Sequence, residues 1–242
     1  YYHVIAGTSA SLQGAIHIVP PMYYETAYVA PFASKVKARV KAPVMVTGRI
    51  NQPQIAEQIL SEGRADFCGM TRALIADPEM PNKARNHRFD DIRACIACNQ
   101  ACIGHFHKGY PISCIQYPET GRELTLAAGK TPTKHKKKIL IAGGGPAGMK
   151  AASVLAARGH HVSLCEATSQ FGGQALLAQM LPGRAEFGGI ITNLAREMEL
   201  AGVDVRRLTQ VTRALIEQER PGAVIIATGA TARRPQFEGS DS

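Results

Sequence analysis

Four of the chain's six cysteines lie within twenty residues, where they could bind a metal or a metal cluster. Cys95, Cys98 and Cys102 are spaced C-x2-C-x3-C, and Cys114 follows after eleven further residues. A disulfide framework is disfavoured, because the rest of the chain is poor in cysteine and shows no secretory signal. Structural zinc usually takes two separated short pairs, whereas three close thiolates and a distant fourth suit a cubane. The spacing therefore favours an iron–sulfur cluster and leaves zinc open.

A glycine-rich turn in the second half of the chain indicates a dinucleotide site. Gly143, Gly145 and Gly148 form G-x-G-x-x-G directly after an apolar strand and at the start of a helix. The first glycine allows the tight turn, the second lets a pyrophosphate approach the backbone, and the third lets helix and strand pack closely. The next strand ends at Glu166, where an acid that binds ribose is expected. An exposed strand-end carboxylate is the alternative for Glu166.

Two other strand ends each carry a glycine and an arginine. The segments VTGR and CGMTR place Arg49 and Arg72 there. If these are the last two strands of an eight-stranded barrel, their loops are a common phosphate site. Guanidinium groups and loop amides suit a phosphate monoester. Either arginine alone could equally form a surface salt bridge, but the repetition favours phosphate.

The elements that must position these residues form two alternating series of strands and helices, typical of an α/β fold with parallel sheets. The first series has predicted strands at Tyr1–Ala6, Ala42–Gly48 and Ala65–Met70, and helices at Thr26–Val40 and Gln52–Gly63. The second has strands beginning at Lys137, His161, Val203 and Ala223, and helices at Pro146–Gly159 and Ala185–Gly202. The cysteine segment lies between the two series.

The composition of the 242 residues, 45% hydrophobic and 19% charged, is that of a folded protein. No apolar run is long enough to span a bilayer, so no membrane partner is expected. The net charge of +9 is partly due to Lys130–Lys138, which lacks interleaved aromatic residues. This stretch is interpreted as a solvated linker, and no nucleic acid is expected. A start without Met favours a fragment of a longer, cytoplasmic polypeptide.

Three segments in order resemble one known family. The chain resembles the Old Yellow Enzyme-related iron–sulfur flavoproteins in the segments VTGRINQPQIAEQILSEGRADFCGMTRALIADPEMPNKA, DDIRACIACNQAC and GGGPAG. These are NADH:flavin oxidoreductases of the 2,4-dienoyl-CoA reductase and trimethylamine dehydrogenase type. The segments FGGQ and ATGA add a likeness to the FAD-binding half of disulfide-reductase-like flavoproteins. A flavin next to the cysteines favours iron over zinc, because zinc is redox-inert.

The resemblance implies a domain order and a set of cofactor ligands. It implies the C-terminal part of an FMN-binding (β/α)8 TIM barrel at residues 1–88, a 4Fe–4S segment at 89–118, a basic linker at 119–136 and a partial Rossmann-like FAD-binding domain at 137–242. FMN contacts would come from Arg49, Thr71 and Arg72, and cluster ligands would be Cys95, Cys98, Cys102 and Cys114. FAD contacts would come from Gly143, Gly144, Gly145, Gly148, Glu166 and Gln174, and less directly from Arg184 and Val211.

The expected function is an NAD(P)H-linked flavin oxidoreductase that passes electrons between FAD and FMN through the cluster, to or from a small organic substrate. The nicotinamide cofactor would bind beyond residue 242. Enoyl or dienoyl thioester reduction and amine oxidation or demethylation both stay open. The loop that carries a catalytic His in the reductases, Gly7–Met22, has Ser11 or Leu12 at about that place and His17 further on, so no catalytic residue is assigned. The alternatives are an electron-transfer subunit with cluster and FAD, and a zinc-stabilised nucleotide-binding module.

Overall fold

The computed structural model describes residues 1–126, 131–231 and 233, which form two parallel β-sheets with packed helices. Residues 127–130 of the predicted linker, and residues 232 and 234–242 of the predicted FAD-binding domain, lie outside the described residues. The strands are β1 Tyr2–Val4, β2 Val44–Thr47, β3 Phe67–Gly69, β4 Lys138–Ala142, β5 His161–Cys165, β6 Asp204–Arg206 and β7 Ala223–Ile226. Within the described ranges, no helix combines the length and apolarity needed to cross a membrane.

The helices include every predicted one, together with several short ones that the sequence pattern did not predict. They are α1 Leu12–Ala15, α2 Ala30–Lys37, α3 Pro53–Ser61, α4 Thr71–Ala76, α5 Met80–Arg85, α6 Ile103–Phe106, α7 Glu123–Leu126, α8 Pro146–Ala157, α9 Gln174–Gln179, α10 Gly188–Leu200 and α11 Arg213–Glu219. Short 3-10 turns at Phe89–Asp91 and Ala185–Phe187 precede the cysteine segment and α10.

The first sheet has the strand order β1–β2–β3, and both pairs are parallel, as predicted. Helix α2 connects β1 to β2, and α3 connects β2 to β3. Apolar side chains from β2, α3 and the start of α2 form the core beside this sheet, namely Val29, Ala30, Ala33, Val44, Val46 and Ile59. Because the strands are parallel, their carboxyl ends meet at one edge, where a ligand site is expected.

The second sheet has the strand order β6–β5–β4–β7 and is parallel throughout, again as predicted. Helix α8 connects β4 to β5, and α8 and α10 pack against each other over the sheet. The buried core includes Ile141, Met149, Leu164 and Met198. The chain adds β5 on one side of β4 and returns on the other side as β7. The loop after β4 therefore lies at the point of strand-order reversal, where open parallel sheets bind ligands.

Partly buried ion pairs join the segment before the cysteines to the helices of the second sheet. Arg93 Nε donates to Glu197 Oε1 on α10 at 2.9 Å, and Lys150 Nζ on α8 donates to Glu197 Oε2 at 2.9 Å. Beside them, Arg196 Nε donates to Asp91 Oδ1 at 2.8 Å. The Glu197 carboxylate thus holds two cations from different elements, while its side chain is only 22% exposed.

We predict that Glu197→Gln lowers the free energy of unfolding by about 2 kcal/mol, because Arg93 and Lys150 lose a shared carboxylate at a partly buried site. Glu217→Gln is the matched control. The Arg213–Glu217 pair is 92% and 63% exposed, and exposed pairs contribute about 0.5 kcal/mol or less. Urea unfolding followed by circular dichroism measures both variants. Equal, small losses would contradict the role given to Glu197.

Candidate functional site

The carboxyl ends of β2 and β3, together with the loop after β1, surround a cavity that contains the predicted phosphate-binding residues. Its walls include Arg49 after β2, and Thr71 and Arg72 after β3. The loop after β1 completes the wall with residues 18–20. The structure thus brings these three side chains to one strand-end cavity, although Thr71 is largely exposed. Their contacts with FMN stay a prediction.

Arg49 is buried beside this cavity and already has an anionic partner. Its Nε donates to the carbonyl oxygen of Tyr24 at 3.0 Å, and both terminal nitrogens donate to the carboxylate of Glu186. These bonds leave two of the five N–H groups of the guanidinium for another acceptor. The Arg49 backbone has a φ of 55°, which is unfavourable for a residue with a side chain. The bonds to Tyr24 and Glu186 help to hold this conformation.

Arg72 has a different electrostatic environment. Its Nη1 donates to the neutral Asn99 Oδ1 at 2.7 Å, and no carboxylate among the described residues forms an ion pair with it. Burial lowers the pKa of Arg72, and the nearby thiols of Cys95, Cys102 and Cys98 act in the opposite direction. An arginine side chain nonetheless stays protonated in a protein. The positive charge of Arg72 therefore lies beside the cysteine segment without a carboxylate from the described residues.

The four clustered cysteines line a second cavity. Cys95, Cys98, Cys102 and Cys114 all border it, and none forms a disulfide. Much of the remaining wall is apolar and includes Ile75, Ile96, Ala101 and Ile115. In the part of the chain that the structure describes, no three Cys, His, Asp or Glu side chains come close enough to hold a single metal ion. Four thiols placed around a common space fit a cluster with iron at separate corners.

Burial affects the protonation of two of these thiols, Cys95 and Cys98. It raises the pKa of the Cys98 thiol to about 11 and also raises the pKa of Cys95. Both thiols are therefore protonated near neutral pH when nothing is bound. Metal binding requires the thiolate and releases the proton, so the cavity suits a group whose positive charge offsets the cost of burying thiolates. Ligation of a cluster by the four cysteines stays a prediction.

Hydrogen bonds fix the cysteine loop to the strand ends of the first sheet. Asn51 Nδ2, after β2, donates to the carbonyl oxygen of Cys95 at 2.8 Å. In the loop after β1, the carbonyl oxygen of Val19 accepts from Asn99 Nδ2 at 2.8 Å, and the Met22 N–H donates to the carbonyl oxygen of Ala97 at 3.1 Å. Sequence reasoning missed Asn51 and Asn99. The only local signal is that each lies within two residues of a residue already singled out, Arg49 or Cys98.

The glycine-rich turn has the geometry that its motif predicts. Gly143 has a φ of 108°, which favours glycine, and a Cβ there would collide with the carbonyl oxygen of Ala227. A Cβ on Gly148 would collide with the carbonyl oxygen of Gly143, which explains the close packing of α8 on β4. A Cβ on Gly145 would meet nothing within 4 Å. This open side of the turn, at the N-terminus of α8, fits an approaching pyrophosphate.

Glu166 lies at the end of β5 and is hydrogen-bonded to the glycine-rich turn. Its Oε2 accepts from the Gly144 N–H at 2.7 Å, and its Oε1 accepts from the N–H and the hydroxyl of Thr168, each at 2.8 Å. Desolvation raises the pKa of Glu166, but these hydrogen bonds together outweigh it and lower the pKa below the ordinary value. Glu166 is therefore a carboxylate at neutral pH. It can still accept from a ribose hydroxyl, because Oε2 accepts one hydrogen bond here and has a further lone pair.

The other predicted FAD residues are distributed around this turn. Gln174, at the start of α9, donates from Nε2 to the carbonyl oxygen of Ala230 at 2.5 Å. Val211 is partly buried in the loop after β6, two residues beyond Thr209, whose N–H donates to the carbonyl oxygen of Glu166 at 2.9 Å. Arg184 is exposed and precedes the 3-10 turn before α10. Their contacts with FAD stay predictions.

Comparison with known proteins identifies two parts of the chain. Residues 10–91 match the NADH:flavin oxidoreductase / NADH oxidase family, and residues 137–242 match the pyridine nucleotide-disulphide oxidoreductase family. The chain is 43% identical over 216 residues to a metal reductase from Desulforamulus reducens. The matched region covers 88% of the chain and 31% of the relative. It is 38% identical over 240 residues to an NADH oxidase from Thermoanaerobacter brockii, and this match covers 99% of the chain and 36% of the relative. The chain thus spans about a third of the length of these relatives.

A solved structure with the same fold is that of a 2-naphthoyl-CoA reductase in complex with 2-naphthoyl-CoA. It has a TM-score of 0.86 and 34% identity, over 91% of this chain and 34% of that chain. The predicted fold class is confirmed: the first sheet is part of a (β/α)8 barrel, and the second belongs to a Rossmann-like FAD-binding domain. The chain therefore belongs to the NADH:flavin oxidoreductase / NADH oxidase family, within the Old Yellow Enzyme-related iron–sulfur flavoproteins that its motifs indicated.

Proposed function

We propose that this chain is the electron-transfer part of an NAD(P)H-linked flavin oxidoreductase that binds FMN, a 4Fe–4S cluster and FAD. One observation carries the proposal: the strand-end cavity and the cysteine cavity share the wall residues Arg72, Cys95 and Ala97. A flavin in the first cavity and a one-electron carrier in the second would be direct neighbours. The family to which the chain belongs supports the same assignment.

The residues of the chain would bind and orient these groups. When bound, the flavins would supply hydride and electron exchange, and the cluster would supply single-electron transfer. The cysteine loop would hold the cluster against the strand ends of the first sheet. The phosphate and ribityl end of FMN would contact Arg49, Thr71 and Arg72. FAD would lie along Gly143, Gly144, Gly145, Gly148, Glu166, Gln174, Arg184 and Val211.

The substrate would be a small organic molecule, either an enoyl or dienoyl thioester that is reduced or an amine that is oxidised or demethylated. The relatives are named for different reactions, as a metal reductase, an NADH oxidase and a 2-naphthoyl-CoA reductase. This variety is expected if the same kind of electron-transfer part serves different substrates in different proteins. In the loop after β1, His17 Nδ1 lies 3.2 Å from the hydroxyl of Tyr28, and its ring packs against Tyr24. These contacts support a structural role for His17.

The proposal keeps the predicted domain boundaries at residues 1–88, 89–118, 119–136 and 137–242. At the start of the predicted linker, buried Thr120 donates from its hydroxyl to the carbonyl oxygen of Ile75 at 3.0 Å. That bond ties this end of the linker to helix α4. A nicotinamide cofactor would supply hydride chemistry, and the proposal places its site outside these 242 residues. A reducing compartment such as the cytoplasm suits thiolate ligands.

We predict that the anaerobically purified protein contains iron and acid-labile sulfide, and that Cys98→Ala loses most of both because one of four cluster ligands is removed. Cys68→Ala is the matched control. Cys68 is partly buried near the carbonyl oxygen of Ala56, far along the chain from the cysteine segment, and the iron content should be unchanged. Zinc without iron would support the zinc-stabilised module instead. Iron with FAD but without FMN would support the electron-transfer subunit.

We predict that Glu166→Gln weakens FAD binding about tenfold, because a hydrogen bond to a charged group is lost from the ribose and the glycine-rich turn is less well held. Since the pKa of Glu166 is lowered in the folded protein, the carboxylate persists above the ordinary glutamate pKa of about 4.3. FAD affinity should therefore be flat around neutral pH and fall only below that value. Fluorescence titration with FAD measures both effects. Glu217→Gln, at an exposed position, should bind FAD like the parent.

A further inference from the structure

Arg72 is the charged residue in the wall between the two cavities. Three residues border both the strand-end cavity and the cysteine cavity, and of these Cys95 and Ala97 carry no fixed charge. Arg72 is the second residue of α4, which begins directly after β3. Its guanidinium is therefore held by a regular element and not by a free loop.

The two arginines at the strand ends differ in how their charge is compensated. The Arg49 guanidinium is paired with the Glu186 carboxylate. The Arg72 guanidinium has the amide oxygen of Asn99 as an acceptor, at 2.7 Å, and no carboxylate partner among the described residues. A partly buried cation without a counter-ion is unfavourable, because it gives up hydration without gaining an ion pair. The binding of an anionic group next to Arg72 would therefore be favourable.

The hydrogen bond from Arg72 to Asn99 holds the guanidinium on the cysteine side, so an anionic group bound by the cysteines would lie next to its charge. Asn99 lies between Cys98 and Cys102 in sequence, and its Nδ2 is held by the carbonyl oxygen of Val19 at 2.8 Å. This bond leaves Asn99 Oδ1 to receive Arg72. Arg72 borders the cysteine cavity together with Cys95, Cys98 and Cys102.

We infer that Arg72 is a positioning and charge-supplying residue that raises the reduction potential of the cluster bound by the four cysteines. The inference rests on the proposed function. A one-electron reduction adds negative charge to the cluster, and a fixed positive charge in its wall stabilises the reduced form more than the oxidised form. Net charge and hydrogen bonds around the sulfur ligands are known to set such potentials. Asn99 holds Arg72 in place and does not itself carry charge.

The test is an EPR-monitored redox titration of the anaerobically prepared holoprotein and its variants. Arg72→Gln should shift the equilibrium towards the oxidised cluster on the order of tenfold, which is about 59 mV for a one-electron couple. Arg72→Lys keeps the charge and should restore most of the potential. Arg213→Gln removes a positive charge at a side chain that is 92% exposed and should leave the potential unchanged, because water and salt screen it.

The outcomes separate this inference from the proposed function. A protein with no iron would end both, whereas iron with the same potential in Arg72→Gln and the parent would overturn the role of Arg72 alone. Loss of FMN at an unchanged potential would show that Arg72 serves only the flavin phosphate. If Arg72→Gln does not retain the cluster, Asn99→Asp places a carboxylate on the same guanidinium. That variant should also lower the potential, and an unchanged value would contradict the inference.

Discussion

The hydrogen bonds between the cysteine loop and the strand ends of the first sheet determine where the four cysteines lie. The backbone conformation of the cysteine loop is unfavourable by itself, because Ala97 and Asn99 have φ values of 48° and 58°. Such conformations cost about 1–3 kcal/mol each and persist only where surrounding contacts determine them. Here the contacts come from Asn51, Val19 and Met22, on the loops after β1 and β2. The barrel, not the loop, therefore sets the position of the cysteines.

A second set of contacts fixes the FAD-binding sheet relative to the first sheet and the cysteine segment. Glu186, just before α10, pairs with Arg49 at the strand-end cavity, and Glu197 on α10 pairs with Arg93 just before the cysteines. Helix α10 and its leading turn thus touch both the predicted flavin site and the start of the cysteine segment. Loss of either partner of these partly buried pairs would leave a charge without its counter-ion, so the pairs favour this one arrangement of α10.

The sequence predicted the sheets and the glycine-rich turn because these depend on local patterns. Short apolar runs, most of them ending at or next to a glycine, predicted the strands, and the spacing of Gly143, Gly145 and Gly148 predicted the turn. Helices α4, α5 and α6 were missed because four to six residues are too short to show a helical period. The pair Arg49–Glu186 joins residues 137 positions apart, and no local pattern marks such a contact. The same holds for Asn51 and Asn99, which act through one or two hydrogen bonds of a side-chain amide.

The two arginines at the strand ends, Arg49 and Arg72, follow similar motifs but differ in how their positive charge is compensated. Both follow a strand and a glycine, yet Arg49 is paired with Glu186, while among the described residues Arg72 has the amide oxygen of Asn99 and no carboxylate. Arg72 therefore places a positive charge without a carboxylate partner from the described residues in the shared wall of the two cavities. A flavin phosphate on one side and a thiolate-bound cluster on the other would repel each other across a medium of low polarity. A cation between them offsets that repulsion, so the binding of one anionic group need not weaken the binding of the other.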